Sequence, residues 1–158
     1  MTDVLAVLAV LVAAAVLAAL WLRGRYLVVT VHGESMLPTY RPGERVLVRR
    51  TPADALRAGQ VVVLSGHQAP PHAALPPGMA DQDRTVHAPW IIKRVTAVPG
   101  DPIPRDAVPA LRSEPGTRVP AGRLVVLGDN PARSHDSRRA GYFSADRLYG
   151  VALRKLGS

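Results

Sequence analysis

One stretch decides more than any other what this chain can fold into. Val4–Leu22, VLAVLAVLVAAAVLAALWL, runs for 19 residues without a charge, a glycine or a proline. As a helix it spans roughly 28 Å, about the hydrocarbon thickness of a bilayer. Trp21 and Tyr26 stand at its far end, where aromatic side chains mark membrane interfaces. A cleavable leader would have a shorter apolar region and a basic start; here Asp3 precedes the run, and WLRGRY is a poor cleavage site. A soluble domain this small could hardly wrap such a helix in its core. The segment therefore predicts a single membrane-spanning anchor over residues 1–25, its helix at about 4–22, with the lipid bilayer as partner. Arg23 and Arg25 flank the far end and only Asp3 the near one, so the positive-inside rule would place the following domain in the cytoplasm.

Residues 26–158 read as one domain of short strands. Tyr26–His32, Arg45–Arg49, Gln60–Leu64, Trp90–Val98 and Arg123–Leu127 are rich in Val, Ile and Leu and of strand length. RPGE, RAGQ, VPGD and LGDN lie between them as tight turns. Asp146–Leu156 reads as a final strand at the edge. No amphipathic helix of normal length is evident outside the anchor. The expected fold is mainly β: a transmembrane helix followed by a compact antiparallel sheet or partly open barrel that protects its edges. Two Pro-rich stretches, 65–89 and 102–120, read as loosely ordered loops.

Composition removes several chemistries. There is no cysteine, hence no disulfide, thiolate nucleophile or Cys-ligated metal. The five histidines, His32, His67, His72, His87 and His135, are scattered without metal-site spacing, and no cofactor is expected. Few aromatics argue against stacking on nucleic acid. The net charge of +8 comes from 18 Arg and two Lys among 20 basic residues, a background of GC-rich composition. That imbalance singles out the two lysines, Lys93 and Lys155, because Arg cannot lose its proton in a protein and a buried Lys can.

Gly33–Thr39, GESMLPT, directly follows the first strand. A Ser in a turn after Gly exposes its hydroxyl where backbone N–H groups converge, the geometry of an acyl-transfer nucleophile, although a Ser in such a turn is most often structural. Ser35 then needs a base. His87 and His135 are open to that role, as is Lys93 in the apolar run IIKRV, where burial would lower its pKa. Strand alternation makes Arg94 the residue facing solvent. The third segment, Gly128–Gly141, GDNPARSHDSRRAG, is dense in hydrogen-bonding groups. Ser134 can hold a buried amine in place there, and Asp136 and Arg138 can pair.

Together these segments resemble the type I signal peptidase family of serine–lysine proteases. GESMLPT matches the nucleophile motif, IIKRVTAVPGD the segment of the general-base Lys, and GDNPARSHDSR the C-terminal motif. The resemblance covers most of the chain. It implies Ser35 as nucleophile, Lys93 as general base and Ser134 as the group orienting Lys93, with Asp129, Asp136 and Arg138 as structural support. The Ser35 N–H would be an oxyanion donor; Gly33 occupies the other oxyanion position, where some members carry a Ser hydroxyl. Val31, Met36, Tyr40, Ile91 and Ile92 match positions lining the pockets for small side chains at substrate positions −1 and −3. A Lys rather than His base argues for the bacterial or organellar branch. The implied protein is a monomeric, single-pass enzyme of the cell membrane that removes signal peptides from preproteins, its catalytic domain extracytoplasmic, against the Arg23/Arg25 reading.

The chain departs from the pattern at Glu34, where a small residue is frequent, at Arg139 and Ala140, which replace an aromatic, and in RPGE and RAGQ, which lack a following Asp. Only 26 residues separate VPGD from GDN, so the second β-domain of larger relatives is minimal or absent. Two other readings stay open: a specialised maturation protease for one pro-protein, and a membrane-anchored basic module binding anionic lipid or an acidic partner. A self-cleaving repressor shares the Ser–Lys chemistry, but an anchor stands where its DNA-binding domain would be.

Overall fold

The computed structural model describes residues 2–66 and 90–157. Helix α1, Thr2–Arg25, passes without a linker into strand β1, Tyr26–Thr30. Ala and Leu give α1 high helix propensity, and the Arg25 guanidinium lies 4.7 Å from the centroid of the Trp21 ring one turn back. Its large apolar side chains from Val7 to Leu22 stand bare, Leu17 at 66% exposure. Among the described residues no helix is long and apolar enough to cross a membrane. The start of the anchor expected at 4–22 falls on residues whose side chains lie outside the described ones.

Six further strands follow: β2 Arg45–Arg49, β3 Val61–Ser65, β4 Trp90–Ala97, β5 Arg123–Leu127, β6 Phe143–Ser144 and β7 Leu148–Leu156. They form one sheet in the order β1-β2-β7-β3-β4-β5-β6, antiparallel at every pairing. The sheet curls into a half-barrel whose open edges are β1 and β6. The mainly β architecture matches the expectation; three placements do not. The first strand stops at Thr30, because Val31 turns to bond Glu44 at the mouth of the next loop. The last strand is not an edge: β7 lies between β2 and β3, where its bulged register with both lets one long strand follow the curl.

The third correction concerns 102–120. Its prolines do not leave it loose. Ile103, Val108, Leu111 and Val119 bury their side chains against Ala97 and Val125 and form a small core of their own. Proline rigidity lowers the entropy lost in ordering this excursion. Of the other stretch, 65–89, Ser65 ends β3, and 67–89, with His67, His72 and His87, lie outside the described residues.

Alternation distributes the rest of the core. Val29, Val46, Val48, Val61, Val63 and Ile92 bury one face; Val62, Leu64, Val95, Leu124, Val126 and Val151 bury the other. β3 is buried throughout because both faces of the sheet are covered there. Each such aliphatic contributes about 1.5–3 kcal/mol of transfer free energy. Lys155, which had no expected role, donates to Glu44 at 2.9 Å and stands 5.5 Å from the Tyr40 ring centroid.

Candidate active site

The loop between β1 and β2 carries Ser35. Val31 N–H donates to the Glu44 carbonyl at 2.8 Å and Gly43 N–H to that of Val31 at 2.9 Å, closing the loop at its base. Gly33 turns the chain at φ +73°, a conformation that a side chain would strain. Met36 and Tyr40, joined by a Tyr40 N–H bond to the Met36 carbonyl, are then buried in the core. Ser35 is left half-buried between the exposed Glu34 and the core.

Lys93 sits on β4 at 4% exposure. Alternation puts it on the face of Val95 and Ile91, opposite that of Ile92 and Arg94. Burial pushes its ammonium down from the ordinary lysine value; the Asp136 carboxylate opposes that shift and the Arg138 guanidinium adds to it. In the β4–β5 register Arg94 faces Leu127 and Val95 faces Val126. Lys93 itself pairs with Val62 of β3, and directly opposed residues project from the same face.

Gly128 is where the segments converge. A Cβ built there would lie 2.2 Å from Ser134 Oγ and 2.6 Å from the Ser35 carbonyl oxygen. The absent side chain therefore lets the Ser35 loop and the Ser134 loop close together at Gly128. Asn130 fastens them: its N–H donates to the Ser35 carbonyl at 2.9 Å and its Nδ2 to that of Glu34 at 3.1 Å.

The Ser134 loop is itself held by Asp136, which is fully buried. Its carboxylate accepts from Gly128 N–H at 2.8 Å, Arg138 N–H at 3.0 Å and Arg138 Nη1 at 2.8 Å. Burial works to raise this carboxyl, but the Gly128 N–H, the Ser134 hydroxyl, the Arg138 N–H and the Arg138 charge outweigh it and hold it below the usual range. Ser134 contributes to that field without reaching hydrogen-bond geometry. Its Oγ and the Tyr142 hydroxyl are buried without a partner among the described residues. Asp136 also caps the short helix α2, Ser137–Ala140, whose Ser137 Oγ accepts from Val126 N–H at 2.9 Å.

Arg94 corrects an expectation. It does not simply face solvent: Nε and Nη2 grip Asp129 at 2.8 and 2.6 Å, and Thr39 Oγ1 donates to the same carboxylate. The guanidinium holds the Asp129 carboxyl below the usual range. One residue from each of the three segments thus meets in a single cluster on the other face of β4.

The structure brings Ser35, Ser134, Asp136 and Arg138 around Gly128, with the buried Lys93 in the electrostatic field of Asp136 and Arg138. Of the expected pocket residues, Val31, Met36, Tyr40 and Ile92 lie in one buried cluster and Ile91 packs on the other. His135 is exposed, and His87 lies outside the described residues. Sequence reasoning missed Thr39, Arg94, Gly128 and Asn130 as site-building residues; the signal was their position inside the quoted motifs. Among the described residues no group of three or more His, Asp or Glu could hold a metal ion.

Comparison with known proteins points the same way. The family model described as signal peptidase, peptidase S26, matches residues 2–109 and 105–155. A probable signal peptidase I-1 of Synechocystis is 28% identical over 142 residues, covering 78% of this chain and 67% of the relative. Signal peptidase I T of Bacillus subtilis is 27% identical over 133 residues, covering 77% and 69%. With the family model matched along nearly its whole length, the chain belongs to the signal peptidase family, peptidase S26.

Proposed function

We propose that this chain is a membrane-anchored serine endopeptidase that removes signal peptides from exported preproteins after small residues at −1 and −3. Family membership supports signal-peptide removal in general. The observation that carries the finer reading is a buried lysine with a depressed pKa beside Asp136 and Arg138, whose loop meets the Ser35 peptide at Gly128. The neutral Lys93 amine takes the proton of the Ser35 hydroxyl as its Oγ attacks the carbonyl carbon before the scissile bond. The Ser35 N–H steadies the oxyanion. The Lys93 ammonium returns its proton to the departing amine, leaving an acyl-ester on Ser35. Lys93 then deprotonates water, which cleaves the ester and restores the hydroxyl. Ser134 orients the amine, and Asp129, Asp136 and Arg138 keep the loops in place.

The bare apolar side chains of α1 call for cover, and the uncharged run 4–22 makes a lipid bilayer the natural one. Residues 1–25 are then the anchor and 26–158 the peptidase domain, held at the extracytoplasmic surface where β1 leaves the helix. The test is incubation of purified full-length protein with a preprotein, the cleavage site read by mass spectrometry. Cleavage after a small residue, abolished in both Ser35→Ala and Lys93→Ala, is expected. Full activity in either variant would remove the dyad. Protease added outside intact cells should reach the domain; protection would reverse the topology.

A further inference from the structure

Three carboxylates in the segments that build the site, Glu34, Asp129 and Asp136, are not equally committed. Asp136 is fully buried on Arg138 and two backbone N–H groups, and Asp129 is gripped through two nitrogens of Arg94. Among the described residues Glu34 pairs with Arg133 alone, at 3.5 Å, and both side chains stand open, at 51% and 71% exposure. So open a pair is worth little, and another cation can displace it at small cost.

The Glu34 backbone, by contrast, is fixed. Its carbonyl accepts from Asn130 Nδ2, and the next carbonyl, that of Ser35, from Asn130 N–H. Consecutive Cα atoms are about 3.8 Å apart, so this carboxylate is tethered one residue from the nucleophile. A substrate residue flanking the attacked carbonyl is separated from it by the same spacing, which leaves a Lys or Arg side chain long enough to reach Glu34. Gly33, with no side chain and open space around its α-carbon, does not screen the approach.

We infer that Glu34 is a specificity-determining residue that favours substrates with a basic side chain at −2 or +1, beside the small −1 residue, the incoming cation replacing Arg133. This rests on the peptidase reading and names a substrate class for it. A family position usually filled by a small residue thus becomes a charge filter in this chain, which otherwise carries a net +8.

The test uses the full-length enzyme in detergent and peptides with Ala at −1 and −3 that carry Lys, Gln or Glu at −2 or at +1. The wild type should prefer Lys over Glu in kcat/KM by roughly threefold or more at one of the two positions, the scale of one exposed ion pair. That ratio should fall to about one in Glu34→Gln and invert in Glu34→Lys. The Gln peptide is the internal reference, so a general loss of rate in a variant does not hide the ratio. Identical ratios in wild type and Glu34→Gln would overturn the inference while leaving the peptidase reading intact. No cleavage of any peptide or preprotein by the wild type would overturn both. A preference that follows Arg133→Gln rather than Glu34 would assign the filter to the arginine and refute it here.

Discussion

Replacing Gly128 by alanine adds a single methyl group, and the structure says where it goes. The new Cβ would stand 2.2 Å from Ser134 Oγ, 2.6 Å from Ser134 Cβ and 2.6 Å from the Ser35 carbonyl oxygen. Carbon contacts relax near 3.5–4 Å, so the neighbours must retreat by about an ångström. Ser134 is 5% exposed and has little room to turn away. The Ser35 carbonyl is fastened to Asn130 N–H, so the loop carrying the proposed nucleophile moves with it. Overpacking of this kind costs about 1–3 kcal/mol of stability. An ångström of misplacement at a reacting group costs about 10²-fold in rate. Gly128→Ala should therefore cut kcat about a hundredfold on a preprotein-derived peptide and change KM far less, with thermal unfolding measured alongside. Gly150→Ala is the control. Its Cβ would meet the Arg49 carbonyl at 2.2 Å between β2 and β7, so it should lower Tm and leave the kcat of folded enzyme unchanged. A Gly128→Ala enzyme with native Tm and wild-type kcat would refute the convergence of the two loops on the chemistry.

Three further outcomes follow from the same geometry. Lys93→Arg keeps the charge but cannot release a proton, so kcat should fall by at least about 10²–10⁴-fold in a peptide cleavage assay. In the wild type, activity should rise with pH along an acid limb whose midpoint lies below the ordinary lysine value, since burial favours the neutral amine proposed as the base. Asp136→Asn leaves Arg138, 29% exposed, without its carboxylate, and should cost the lower end of roughly 3–5 kcal/mol in denaturant unfolding. The folded-state pKa of Asp136 is depressed, so its contribution is complete above the unfolded value and fades as pH falls through the folded one; the gap between wild type and variant should close below about pH 4. Arg94→Lys exchanges a two-pronged grip on Asp129 for a point charge and should lower stability by no more than about 1 kcal/mol, because the pair is partly solvated.

How far the sequence could be read depended on the range of the interaction. Runs such as RVLVR and RLVVL became β2 and β5 at the expected bounds, because burial alternates within a few residues and leaves a local pattern. The place of β7 between β2 and β3 depends on pairing across the whole sheet, which no local pattern encodes. The excursion at 102–120 misled for another reason. Ile103, Val108, Leu111 and Val119 are spaced by prolines rather than by a helix or strand period, so their shared core leaves no periodic trace. At the site, residue types could be read and partners could not. Arg94 was assigned to solvent by alternation, and alternation is right that it opposes Lys93; what lies on that other face is Asp129, brought there by a loop.

The two faces of β4 divide the labour of the site. On one, Thr39, Arg94 and Asp129 form a satisfied polar cluster that ties the three segments together and needs no proton transfer. On the other, the terms do not cancel. Lys93 is buried next to a carboxylate that already answers to Arg138 and two backbone N–H groups, and Ser134 Oγ is buried with no partner among the described residues. An unpaired buried hydroxyl costs about 1–3 kcal/mol and a buried ammonium more, so a sequence selected for stability alone would place apolar side chains there. Asp136 is near enough to support Lys93 but too fully engaged to neutralise it. A full ion pair would keep the amine protonated, and a fully apolar pocket would leave it unoriented. Under the proposed mechanism, that partial compensation would let one side chain hold a proton in one step and release it in the next.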